Sequence, residues 1–84
     1  MQHASSCYFL GLLYANGHGV KLNNKTAMNF FHNACENGES LGCLNLGFFY
    51  KYGIDIEKNY IREKYFFLLT CLNGNDGGCK LLLK

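Results

Sequence analysis

Eighty-four residues, 49% of them hydrophobic and 15% aromatic, are enough for one packed domain and describe a chain that folds. The formal charge of +2 comes from scattered Lys, Arg, Asp and Glu with no basic block, which excludes the phosphate-tracking surface of a nucleic-acid binder. The longest nearly apolar run, YFFLLTCL at 65–72, is too short to span a bilayer, and MQHASSCYFL shows no basic stretch leading into an apolar secretion signal.

The first predicted element is a helix in CYFLGLLYANG at 7–17. Cys7, Leu10 and Tyr14, flanked by Gly11 and Leu13, recur at helical spacing until NGHG at 16–19 supplies helix-ending glycines. A second helix follows, with Asn23 and Asn24 as candidate N-caps and Ala27, Phe30, Phe31, Ala34 and Cys35 as its apolar positions; Asn37 and Gly38 stop it. CLNLGFFYKYG at 43–53 and NYIREKYFFLLTCLNG at 59–74 repeat this pair, and no proline interrupts any of it. Residues 76–84, ending in CKLLLK, are read as a truncated closing helix whose leucines cover the second pair; a cut end is the alternative.

Sliding the sequence by 36 residues superposes 7–42 on 43–78. Cys7, Leu10, Gly11, Tyr14, Gly17 and Asn23 fall on Cys43, Leu46, Gly47, Tyr50, Gly53 and Asn59. Phe30, Phe31, Cys35, Asn37, Gly38 and Gly42 fall on Phe66, Phe67, Cys71, Asn73, Gly74 and Gly78. The expected fold is therefore an all-α solenoid: one domain over 1–84, with repeat one at 7–42, repeat two at 43–78 and a partial third unit or cap at 79–84.

The run LGxLYxxGxGV at 10–20, the small Ala27 and AxxNG at 34–38 resemble Sel1-like repeats. The 36-residue period and the two nine-residue stretches CENGESLGC and CLNGNDGGC further resemble the disulfide-bearing branch of that family, the Helicobacter cysteine-rich proteins. Repeat two departs from the pattern at Asp55, in place of the second loop glycine, and at Glu63, in place of a small alanine. The resemblance implies that each clasp ties a second helix to the next first helix, pairing Cys35 with Cys43 and Cys71 with Cys79. Helices folding back across ENGESLG bring such side chains within disulfide range, and free, buried cysteines are the alternative. Zinc is disfavoured because no two cysteines lie two to four residues apart and His3, His18 and His32 complete no site; a C-x-x-C redox motif is absent as well. No metal or cofactor is expected.

Cys7 has no counterpart eight positions earlier, so it reads either as a free thiol or as the end of a clasp in a longer array. Paired cysteines point to a secreted or periplasmic protein, whereas the lack of a visible signal in this stretch would suit a cytoplasmic one.

The resemblance also implies penicillin binding or weak β-lactamase activity. The residues do not support catalysis, because Ser5, Ser6 and Ser40 begin no S-x-x-K and have no companion base motif. GHG at 17–19 follows a helix and reads as a turn, with His18 a loop residue and His32 a polar helix position. Binding of a protein or peptide is the expected role, as the resemblance to adaptor proteins implies. On the first helices Phe9, Leu12 and Asn16 lie one period from Asn45, Phe48 and Tyr52, forming two adjacent stripes with the rings and amides suited to a peptide. Packing of Phe9, Leu12 and Phe48 against a neighbouring repeat is the competing reading.

Overall fold

The computed structural model describes residues 2–83 and contains five helices: α1 (Gln2–Asn16), α2 (Asn24–Glu36), α3 (Ser40–Tyr52), α4 (Tyr60–Leu72) and α5 (Asp76–Leu82). α1 starts five residues before Cys7, so the apolar pattern marks the helix but not its beginning. Each helix packs on its neighbour in the chain, giving a zigzag with α1, α3 and α5 in one layer and α2 and α4 in the other. Short loops make the neighbours antiparallel: the Asn23 N–H donates to the Tyr14 carbonyl across the α1–α2 loop, and the Asn59 N–H donates to that of Tyr50 across the α3–α4 loop.

Those same asparagines start the second helices. The Asn23 side chain accepts from the Thr26 N–H at 3.0 Å and that of Asn59 from the Arg62 N–H at 2.9 Å. Each satisfies one of the amides that a helix start leaves unpaired, a contribution of about 1 kcal/mol. Asn75 opens α5 in the same way, accepting from the Gly77 N–H at 2.8 Å.

Ala27, Phe31, Cys35, Cys43, Leu46, Phe49 and Phe66 form the buried core, centred where α2 meets α3. Close packing relies on two glycines under two rings. A Cβ on Gly11 would lie 2.6 Å from the Phe31 ring, and one on Gly47 would collide with the Phe67 ring in the same way. The repeat is also visible in the stacking of Tyr14 on Phe30 and of Tyr50 on Phe66, both with ring centroids 5.7 Å apart.

Position in the stack modifies what the repeat dictates. Leu46 and Phe49 are 0% and 6% exposed, but their counterparts Leu10 and Leu13 on α1 are 40% and 39% exposed. α2 covers the α3 pair, and among the described residues no helix stands before α1 to cover the other. At the far end, α5 is 7 residues long where α3 has 13. Glu63, on the first turn of α4, is accordingly half-buried where its counterpart Ala27 is fully buried. Leu81 and Leu82 are half-buried on α5, while Leu83 is exposed.

Asp55 keeps the left-handed backbone of the glycine it replaces, with φ 58° against 77° at Gly19. Its carboxylate accepts from Asn24 Nδ2 at 2.8 Å, linking the loop of repeat two to the start of α2. The hydrogen bond offsets conformational strain that aspartate tolerates better than most residues. Asp55→Ala should therefore lose about 1–2 kcal/mol in urea denaturation, from the lost bond and the Cβ strain together, and Asp55→Gly under about 1 kcal/mol. Equal losses would mean that φ at this position is not the controlling factor.

Candidate functional site

Cys35 lies in the last turn of α2 and Cys43 in the first turn of α3, and the two are joined by a disulfide with Cα atoms 4.7 Å apart. Cys71 and Cys79 are joined likewise between α4 and α5, again with a Cα separation of 4.7 Å. The turn that aligns them is the same in both repeats: the Gly38 N–H donates to the Cys35 carbonyl and the Gly74 N–H to that of Cys71. The first bridge is buried and the second half-buried. Cys7, half-buried on α1, is a free thiol. Among the described residues no group of three His, Cys, Asp or Glu is arranged to hold a metal ion, and no helix is long and apolar enough to cross a membrane.

The two stripes anticipated on α1 and α3 divide by environment. Phe9 and Tyr52 are more than half exposed, and Asn16 is exposed. Leu12 packs against the core. Phe48 is half-buried with its ring edge on Phe67 at 5.3 Å, and it also stacks on Tyr52 at 6.1 Å. Asn45 is half-buried. Packing thus accounts for Leu12 and for much of Phe48, leaving Phe9, Asn16 and Tyr52 as the solvent-facing members. The Lys51 ammonium sits 5.7 Å from the Tyr52 ring centroid, so a cation borders this surface.

A groove was not foreseen from the sequence. It lies between α2 and α4, with a volume of about 340 Å³, and is lined by His32, Cys35, Glu36, Tyr65, Phe66 and Leu69. His32 sets its ring edge against Phe66 at 6.1 Å and approaches Glu36 Oε2 with Nδ1 at 3.5 Å. Asn73 Nδ2 donates to the Leu69 carbonyl at 3.0 Å at one end. Three of these residues come from each repeat, and nothing in a one-repeat pattern places them together.

Helix pairs of similar length, stacked in register and joined by a recurring turn, define an α-solenoid of helix-turn-helix repeats. The Sel1 repeat model matches residues 4–39 and 40–75, and the chain belongs to the Sel1 repeat family. Repeats of this family commonly mediate protein–protein interaction. The fold is similar to Helicobacter pylori cysteine rich protein B, with a TM-score of 0.89 and 32% identity over 94% of this chain and 59% of that one. It is also similar to a Sel1 repeat protein from Oxalobacter formigenes, with a TM-score of 0.88 and 25% identity over 94% of this chain and 32% of that one. The chain thus spans less than two thirds of either structure. No curated protein matches the sequence significantly.

Proposed function

We propose that this chain is a disulfide-stapled binding module that holds a protein or peptide on the α1–α3 layer. The observation that carries this reading is the exposure of one aromatic ring on each of these helices, Phe9 and Tyr52, with the amide of Asn16 also exposed. Rings supply contact area at low entropic cost, and amides pair with an extended backbone. The two disulfides and the likeness to a cysteine-rich protein support work in an oxidising compartment outside the cytoplasm.

The test is panning of a random peptide library on the oxidised protein, followed by titration of the enriched peptides. Phe9→Ala and Tyr52→Ala should each weaken binding by about fivefold or more without lowering the melting temperature. Phe48→Ala is the wrong probe, since its ring supports Phe67. Peptides that bind both variants like the parent would remove this face from consideration.

A further inference from the structure

The groove between α2 and α4 joins apolar walls to negative charge. Cys35, Phe66 and Leu69 line it as buried or half-buried side chains, whereas the rings of His32 on α2 and Tyr65 on α4 are exposed. The Glu36 carboxylate is exposed beside them. Among the described residues no Lys or Arg pairs with Glu36; its ion-pair neighbour is His32 Nδ1 at 3.5 Å. One period later Leu68 and Leu72 stand in place of His32 and Glu36, so the repeat plan does not itself demand a charge at this position.

The surroundings fix the sign of the field. The stretches 30–43 and 66–79, which hold the last turns of α2 and α4 and both clasps, contain Glu36, Glu39 and Asp76 and no Lys or Arg. Six of the eight basic residues, Lys21, Lys25, Lys51, Lys58, Arg62 and Lys64, lie at the opposite end of the helices, around the starts of α2 and α4 and the end of α3. α2 and α4 both run antiparallel to α3, so their carbonyl ends come together at the groove, where Cys35, Glu36 and Asn73 line it. Two helix C-termini and a carboxylate favour a cation, and an aromatic face beside them favours it further. The volume of about 340 Å³ is at the small end of ligand pockets, which run from about 300 to 1,000 Å³, and suits one extended side chain better than a helix.

We propose that this groove takes an arginine side chain presented by an extended peptide, at a site separate from the α1–α3 face. The planar guanidinium stacks on the Tyr65 ring and forks to the Glu36 carboxylate, while its methylenes lie along Leu69 and the Cys35 bridge. A lysine ammonium matches the carboxylate but cannot stack and fork at once.

NMR titration of the oxidised, isotope-labelled 84-residue chain at low salt with the peptide Gly-Ser-Arg-Ser-Gly reads this out. The expected result is shifts at the amides of Glu36, Gly38, Tyr65 and Asn73 with a Kd of about 1 millimolar. Citrulline in place of arginine keeps the shape and removes the charge, and should weaken binding at least about tenfold; lysine should weaken it about threefold. Glu36→Gln and Tyr65→Leu should each weaken binding about fivefold with the melting temperature unchanged, and Tyr52→Ala should leave it as it is. Equal affinity for the arginine peptide and either substitute overturns the proposal. So do indifference to Glu36→Gln, shifts confined to the surroundings of Phe9 and Tyr52, and the absence of shifts at about 10 millimolar peptide.

Discussion

Reduction of the two disulfides should lower the melting temperature by at least about 20 °C. Each bridge closes a loop between residues 8 apart, and restricting so short a loop in the unfolded chain contributes roughly 2.5 kcal/mol by the chain-entropy estimate. Two separate bridges add to roughly 5 kcal/mol. A folded chain of this size has a total stability of only about 4–13 kcal/mol, so the loss reaches the scale of the whole. At about 4–8 °C per kcal/mol for a small domain, the expected shift follows. The bridges should not open together. Cys43 is fully buried and Cys35 nearly so, whereas Cys71 and Cys79 are half-buried, so limited reduction and alkylation should label 71 and 79 first. A melting curve indifferent to reductant would end the view that the clasps stabilise the fold.

Phe31→Ala should be the most damaging single substitution on α2, costing about 3–5 kcal/mol. The ring is 1% exposed and joins three helices, lying over Gly11 of α1 and meeting Phe49 of α3 edge-on at 5.9 Å. It therefore holds the first repeat to the second as well as closing its own pair. Gly11→Ala should cost about 1–3 kcal/mol by pushing a methyl into that ring. Combining Gly11→Ala with Phe31→Leu should cost clearly less than the sum of the two, because the smaller side chain vacates the space the methyl enters. Urea denaturation of the oxidised variants measures all three, and strictly additive losses would show that Gly11 and Phe31 do not share a contact.

The architecture was legible because the same local choices recur at a fixed interval: an asparagine cap, a glycine stop, and rings at equivalent positions on equivalent helices. What the interval conceals is environment. Leu10 and Leu46 are the same residue in the same register, yet Leu46 is fully buried and Leu10 is 40% exposed. Phe48 has the periodicity of a surface stripe and lies instead against Phe67. The groove between α2 and α4 needs side chains from both repeats, so no helical pattern within one unit reveals it. On α4 the exposed Ile61, Tyr65, Leu68 and Leu72 stand where α2 has Lys25, Asn29, His32 and Glu36, so the two repeats share a backbone plan but differ in what they present to solvent.

The neighbour-to-neighbour packing of the five helices has a kinetic consequence. Because each helix docks on the next in the chain, contacts form across short loops, and such topologies fold fast. Bridge formation shares the advantage. Cys35 meets Cys43 across 8 residues, while the nearest incorrect partner, Cys7 for Cys35, lies more than three times as far along the chain. Ring closure favours the near partner roughly sixfold even before any helix forms. Oxidation during or after synthesis should thus reach the native pairs directly, with little demand for isomerase-catalysed reshuffling.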